Sequence, residues 1–158
     1  MVKLITYTEQ YKQQLESILK DMSVELYGAG TANIDEFVNN HWVIYLALED
    51  DEVIGLSSYF YNTYYGLRPP TVGNTYLYVK PEYRRGRASY LLSIQSAYVS
   101  VDMDLPLETY YASDASRSIG KKRMPDGNHL YDVWEYTPEE MSQAYNKTTK
   151  NFKARKDK

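Results

Sequence analysis

The sequence contains, at residues 75–94, the run TYLYVKPEYRRGRASYLLSI, which predicts a strand, a turn and a helix in succession. The apolar and aromatic residues Tyr76–Val79 favour a β-strand, and Pro81 ends it because proline has no backbone N–H to pair with a neighbouring strand. Apolar residues at helical spacing then predict a helix from Ala88 to Val101.

The turn that joins this strand to this helix is basic: it reads YRRGRAS at residues 83–89 and contains three arginines. A helix that begins here leaves the N–H groups of its first turn without partners inside the helix, and its dipole adds partial positive charge at the same end. These features predict a site for a phosphate or pyrophosphate. A basic turn is, on its own, more often a solvated loop, so the assignment depends on the residues around it.

Those surrounding residues follow the order V-x-P-x-Y-R-R-G-R-A-S, which resembles motif A of the GNAT (Gcn5-related) N-acetyltransferases, V-x-P followed by Q/R-x-x-G-x-G/A. The residues that agree with this pattern are Val79, Pro81, Tyr83 and Arg84. Arg87 occupies the first glycine position and Ser89 the second small position, whereas Gly86 lies one place early. This shifted order is similar to the Y-R-K-G-R-x-G variant of compact GNAT proteins from tailed phages.

The resemblance implies an α/β (α+β) GNAT fold: a mixed central sheet of about six strands flanked by helices, in the order β-α-α-β-β-β-α-β-α-β-α. It also implies an acetyl-CoA-dependent N-acetyltransferase that moves an acetyl group to an amine on a small molecule or a protein. Acetyl-CoA, as the co-substrate, would contact these residues of the strand and turn: Leu77, Tyr78, Val79, Arg84, Arg85, Gly86, Arg87, Ala88 and Ser89.

The rest of the chain agrees with that element order. Gly55 lies inside the third predicted strand and indicates a bulge or the close approach of another element. Periodicity, caps and turn residues predict strands at Lys3–Tyr7, Trp42–Glu49, Glu52–Tyr61, Leu107–Ala112 and Tyr131–Tyr136, and helices from Tyr11 to Leu26, from Ile34 to Asn40 (capped by Asn33), from Arg117, and after the capping box Thr137–Glu140.

Composition limits the chemistry. A length of 158 residues suits one domain, predicted over residues 1–145, and the absence of cysteine leaves no disulfide, thiolate metal site or cysteine nucleophile, as is typical of cytoplasmic proteins. The two histidines, His41 and His129, do not form a metal-binding spacing, so we expect no metal. We interpret His41 as structural. No apolar run is long enough for a membrane span.

The net charge of -3 is unevenly distributed, because residues 146–158 carry +5 and leave -8 for the remainder. This basic segment predicts a mobile tail that is dispensable for folding, and that either solubilises the protein or contacts an acidic partner or nucleic acid. Eighteen tyrosines against three phenylalanines favour surfaces that are both apolar and hydrogen-bonding, such as clefts and interfaces. A homodimer is therefore one alternative for the oligomeric state.

Acetyl transfer to an amine needs a general base, polarising N–H groups and in some cases a general acid. In the GNAT family the base is often a carboxylate on strand four or five, and the acid is often a tyrosine on the fourth helix. The strand predicted at Gly73–Val79 contains neither Asp nor Glu. The remaining candidates are Glu108 on strand five, Asp114 at its end, and Tyr111 or Tyr110. The simpler interpretation of Asp114, or of Ser113, is a cap of the next helix.

Two functions therefore stay open at the level of sequence. The strand, basic turn and helix favour an N-acetyltransferase. The absence of a carboxylate from strand four, the absence of a tyrosine from the fourth helix and the basic tail favour a catalytically degenerate GNAT-fold protein that binds a host protein or nucleic acid. Stabilisation by acetyl-CoA separates a protein that binds this cofactor from one that does not.

Overall fold

A computed structural model describes residues 1–30, 32–109, 128–130 and 133–156, with the backbone alone at 128–130, 133, 155 and 156. The strands are β1 (Val2–Thr6), β2 (Val43–Glu49), β3 (Glu52–Asn62), β4 (Thr71–Val79), β5 (Leu107–Thr109), β6 (Asn128–Leu130) and β7 (Val133–Tyr136). The α-helices are α1 (Lys12–Tyr27), α2 (Ile34–Asn40), α3 (Arg87–Met103) and α4 (Pro138–Lys156).

The described strands form one mixed sheet of seven strands in the order β1-β2-β3-β4-β5-β7-β6. β4 and β5 run parallel, whereas β1 and β2, β2 and β3, β5 and β7, and β6 and β7 are antiparallel. The expected mixed sheet with flanking helices is confirmed. β6 is one strand more than expected, because its three residues, Asn128–Leu130, are too short to show an alternating pattern. The helix predicted from Arg117 lies outside the described residues.

The chain divides into two compact units. The first unit comprises Met1–Phe60 and Tyr76–Leu92, and the second comprises Tyr61–Thr75 and Ser93–Lys158. None of the described helices is long and apolar enough to cross a lipid bilayer.

In the first unit, the end of β4 contributes to two apolar clusters. Tyr78 belongs to a cluster that contains the buried residues of α1, whereas Val79 belongs to a second cluster with Ala88 and Leu92 of α3. Consecutive side chains of a strand point to opposite faces, so α1 and the start of α3 pack against opposite faces of this strand end. The position of the turn that follows β4 is therefore fixed from both sides.

Gly55 of β3 makes the close approach that its sequence position predicted. A Cβ atom at this residue would lie 2.9 Å from the carbonyl oxygen of Tyr78 and 2.9 Å from Cδ1 of Leu92. A hydrogen bond joins the two segments beside this approach: the N–H of Lys80, which follows β4, donates to the carbonyl of Ile54 in β3 at 2.9 Å. The missing side chain of Gly55 thus allows β3 to lie close to the end of β4.

The C-terminal segment of the second unit differs from the expectation of a tail beginning at residue 146. Helix α4 starts with the predicted capping box, in which Thr137 and Glu140 exchange hydrogen bonds of 3.1 and 3.2 Å, and it continues to Lys156. Thr148 and Phe152 are buried. They extend the apolar stripe of α4 at four-residue spacing, so the basic residues lie on a helix that also packs.

Candidate functional site

The turn after β4 leads into the first turn of a helix. A 3-10 turn at Pro81–Tyr83 follows the strand, Arg85 adopts a left-handed conformation with φ of 63°, and α3 begins at Arg87. Tyr90 N–H donates to the Gly86 carbonyl at 3.2 Å, which places Gly86 at the cap of α3. Because intrahelical bonds start only there, the N–H groups of residues 87–89 have no acceptor within the helix.

The same turn is strongly positive. Arg85 and Arg87 are exposed, and the first turn of α3 contains no acidic residue. Both guanidinium groups thus lie on residues at the positive end of the helix dipole, where an anion is stabilised by the dipole, by the free N–H groups and by the side-chain charge together.

Gly86 has room for a side chain on the protein side. A Cβ atom would meet only the Tyr83 carbonyl oxygen, at 3.4 Å, and the residue does not adopt a left-handed conformation. Packing within the chain therefore does not require glycine here. The absence of a side chain instead keeps the cap of α3 accessible to a group that approaches from solvent.

Arg84 has contacts that sequence reasoning did not predict. Its Nε donates to the Val79 carbonyl at 2.9 Å, its Nη2 donates to a Glu25 carboxylate oxygen at 2.8 Å, and its guanidinium lies 5.4 Å from the centre of the Tyr78 ring. The Tyr78 hydroxyl also donates to Glu25, at 2.8 Å. Arg84 thus anchors the start of the turn to α1, although its side chain stays 41% exposed. Arg85 and Arg87 are exposed as well.

This Glu25–Tyr78–Arg84 cluster shifts the titration of its members. The hydrogen bonds from Tyr78 and then from Arg84 lower the pKa of Glu25. Burial, followed by the hydrogen bond to Glu25, raises the pKa of Tyr78 to about 12. Near neutral pH the cluster therefore contains a carboxylate and a neutral phenol.

The other candidate residues of the first unit divide into buried and exposed positions. Leu77 is exposed on β4, whereas Val79 and Ala88 are buried, so only their backbone groups are available to a ligand. Ser89 is half-buried. His41 donates from Nδ1 to the Phe37 carbonyl at 2.7 Å, and burial lowers its pKa, as expected for a structural histidine.

In the second unit, Glu108 is a buried carboxyl group, with a side chain only 4% exposed. Its Cα partners are Gly73 on β4 and Glu135 on β7. Burial raises the pKa of Glu108, and the charge of Glu135 adds to the rise. The neighbour on β4, Gly73, carries no charged side chain. Asp114, Tyr111 and Tyr110 lie outside the described residues.

The contacts of Glu25, Arg68 and Glu135 were missed by sequence reasoning. Arg68 Nη2 contacts a carboxylate oxygen of Glu135 at 2.6 Å, although the two residues are 67 positions apart. The alternation of YDVWEY at residues 131–136 could indicate the face on which Glu135 lies, but it could not indicate the strand register that brings it beside Glu108.

Comparison with solved structures finds GNAT acetyltransferases. A GNAT-family acetyltransferase from Staphylococcus aureus Mu50 aligns with a TM-score of 0.65 at 12% identity, covering 87% of this chain and 98% of that one. PaiA N-acetyltransferase from Thermoplasma acidophilum, in complex with coenzyme A, gives a TM-score of 0.65 at 10% identity, covering 87% and 99%. A predicted acetyltransferase from Clostridium acetobutylicum with acetyl-CoA gives 0.62 at 18% identity, covering 84% and 93%.

No protein-family model matches the sequence, and no curated protein matches it either. The likeness to the solved structures nevertheless shows the fold: the chain has the GNAT fold, which motif A had predicted.

Proposed function

We propose that this GNAT-fold chain is an acetyl-CoA-dependent N-acetyltransferase that moves an acetyl group to an amine acceptor. The observation that carries the proposal is the turn between β4 and α3, which combines N–H groups without an acceptor in the helix, a glycine with space for a side chain, and exposed arginines. Bound coenzyme A and acetyl-CoA in two structures of the same fold support this choice of ligand.

In this proposal the residues of the turn bind the pyrophosphate of acetyl-CoA. The N–H groups of residues 87–89 donate to phosphate oxygens, and Arg85 and Arg87 add charge-assisted hydrogen bonds. The open side of Gly86 allows the phosphates to approach the helix cap. Arg84, held by Glu25, keeps the turn in place. Acetyl-CoA itself supplies an acetyl group activated as a thioester.

Glu108 is the first candidate for the general base. The acceptor nitrogen attacks the acetyl carbon, so that an N–C bond forms, the C–S bond breaks and the coenzyme leaves as its thiolate. The proton lost by the amine passes to the Glu108 carboxylate, directly or through one water. A raised pKa suits this role because it brings the proton affinity of the carboxylate closer to the working pH. Asp114 is the second candidate for the base, and Tyr111 is a candidate acid.

The amine class of the acceptor is supported by a shallow groove on the α1 side of the first unit. The groove measures about 380 Å³ and lies between α1 and the end of β4. Its lining includes the carboxylates of Asp21, Glu25 and Glu82 and the ammonium of Lys80. Arg84 pairs with Glu25 and Glu52 pairs with Lys80, so the carboxylates of Asp21 and Glu82 are the charges that favour a cationic acceptor over an anionic one.

Calorimetric titration with acetyl-CoA tests the cofactor site. The variant Gly86→Asp places negative charge where the phosphates would lie, and Gly30→Asp makes the same change at an exposed glycine outside the turn. We expect the parent and Gly30→Asp to bind and Gly86→Asp to lose binding while it remains folded. Equal binding by a folded Gly86→Asp variant would contradict the assignment.

Release of the coenzyme thiol in the presence of amines, polyamines and lysine peptides tests the chemistry. Replacing Glu108 by glutamine should reduce the rate by about 10²- to 10⁴-fold and leave acetyl-CoA binding nearly unchanged. An unaltered rate would exclude Glu108 as the base. If the parent binds acetyl-CoA but releases no thiol with any acceptor, the protein is better explained as a binding protein with the GNAT fold, which the lack of a carboxylate on β4 already favours.

A further inference from the structure

Glu108 and Glu135 are directly opposite residues in the sheet. The two residues are Cα partners on the antiparallel strands β5 and β7. Side chains of directly opposite residues lie on the same face, with Cβ atoms roughly 4.5–5.5 Å apart. Two carboxylates this close repel each other when both are charged, so the protonation of one depends on the charge of the other.

Arg68 interacts with one member of this pair. Its Nη2 lies 2.6 Å from Oε2 of Glu135, and its guanidinium carbon lies 4.5 Å from the centre of the Tyr64 ring. Tyr64, Tyr65 and Gly66, in the turn before Arg68, adopt left-handed conformations with φ values of 52°, 54° and 78°. Arg68 therefore contacts both Glu135 and the Tyr64 ring, and among the described residues no cation forms an ion pair with Glu108.

We propose that Glu108 and Glu135 form a coupled carboxyl pair held by Arg68, in which Arg68 and Glu135 are positioning residues that adjust the proton affinity of Glu108. The role of Glu108 as the base rests on the function proposed above, whereas the coupling itself does not. In the row of the sheet that contains Glu108, the described neighbours are Glu135 on β7, which Arg68 contacts, and the uncharged Gly73 on β4.

The two positioning residues act in opposite directions. The negative charge of Glu135 makes ionisation of Glu108 less favourable and so raises its pKa, in addition to the effect of burial. The positive charge of Arg68 offsets part of the charge on Glu135 and limits that rise. Glu108 is thereby kept more basic than an exposed glutamate, as a proton acceptor requires, without Glu135 being left as an uncompensated charge.

Titration of the Glu108 carboxyl carbon by ¹³C NMR tests the coupling without any substrate. The signal is assigned from its loss in Glu108→Gln. We expect Glu135→Gln to move the midpoint to lower pH, Arg68→Gln to move it to higher pH, and Arg68→Lys, which keeps a cation, to leave it close to the parental value.

Glu16→Gln and Lys20→Gln are matched controls, because Glu16 and Lys20 form an exposed ion pair on α1. The two substitutions change the net charge by the same amounts as Glu135→Gln and Arg68→Gln. Shifts in the same direction for Glu135→Gln and Arg68→Gln, or shifts no larger than those of the controls, would overturn the proposal. A merely structural role predicts lower thermal midpoints for both variants without opposite shifts in titration.

The pH profile of kcat/KM for acetyl transfer separates this proposal from the proposed function. Its acidic limb should move with the NMR midpoint in each variant. If the NMR midpoints shift as expected but the protein transfers no acetyl group, the carboxyl pair is confirmed and the function proposed for it is wrong. If Glu108→Gln abolishes transfer but the midpoints do not respond to residues 68 and 135, the function is supported and the coupling is refuted.

Discussion

Replacement of Gly55 by alanine tests how the fold holds the candidate cofactor site. The new Cβ atom would lie 2.9 Å from the Tyr78 carbonyl oxygen, 2.9 Å from Leu92 Cδ1 and 3.2 Å from Val79 Cγ2. The Leu92 side chain can rotate away, but the Tyr78 oxygen belongs to the backbone of β4. Relief of that contact therefore requires β3 to move away from β4 at the residues that lead into the turn.

The expected cost follows from this geometry. Overpacking of a core by one methyl group that forces a backbone shift costs about 1–3 kcal/mol. For a chain of this length, 1 kcal/mol lowers the thermal midpoint by about 2–4 °C, so we expect a decrease of roughly 2–12 °C. Because the moved residues include Tyr78 and Val79, acetyl-CoA binding should weaken as well.

Thermal denaturation followed by circular dichroism measures the first effect, and calorimetric titration measures the second. Gly30→Ala is the matched control: Gly30 is exposed, and its Cβ would meet only the tip of the Val24 side chain, at 3.1 Å. We expect that control to change stability by less than about 0.5 kcal/mol. A Gly55→Ala variant with the parental midpoint would refute the conclusion that glycine is needed for the approach of β3 to β4.

Four further outcomes are expected. Tyr78 and Arg84 lower the pKa of Glu25, so the ionised Glu25 stabilises the fold above the ordinary glutamate pKa. This stabilisation is lost as pH falls through the lowered pKa. Glu25→Gln should therefore flatten the acidic limb of a plot of unfolding free energy against pH. Burial and a neighbouring carboxylate raise the pKa of Glu108, so the unfolding free energy should decrease as pH rises from the ordinary glutamate pKa through the raised value. Glu108→Gln should remove this decrease. Phe152→Ala should lower the unfolding free energy in urea by about 3–5 kcal/mol because it empties a buried site, whereas Lys153→Ala, on the exposed face of the same helix, should not. Arg85→Gly should keep or raise the thermal midpoint, since glycine adopts positive φ without steric cost, yet it should weaken acetyl-CoA binding in calorimetry.

Apart from the close approach at Gly55, the contacts that the sequence predicted are local ones. The Asn33 side chain accepts from Glu36 N–H three residues away, and Thr137 and Glu140 form their capping box over the same distance. The turn of residues 83–89 was recognised in the same way, from one continuous run. Such contacts depend on the order of neighbouring residues, so the sequence contains all the information that they need.

The contacts that escaped prediction join distant positions. Glu25 and Arg84 are 59 residues apart, and Arg68 and Glu135 are 67 apart. Each contact depends on the packing of α1 or on the register of β7, which residue type alone does not determine. Phe152 was missed for another reason: the basic charge of residues 146–158 outweighed the four-residue spacing that continues the apolar stripe of α4.

The arginines of the turn explain how its shifted glycine is compatible with an anion site. Arg87 occupies the first glycine position of the GNAT pattern, yet it is the first residue of α3, where the conformation needs no glycine. The left-handed residue is Arg85, at a cost of about 1–2 kcal/mol for any residue with a side chain. The Arg85 side chain is exposed and lies next to a glycine that packing does not require, so its position suits contact with an anion better than a packing role. Arg84 holds the turn to α1 through its ion pair with Glu25. The role that we propose for Arg85 is binding of the pyrophosphate.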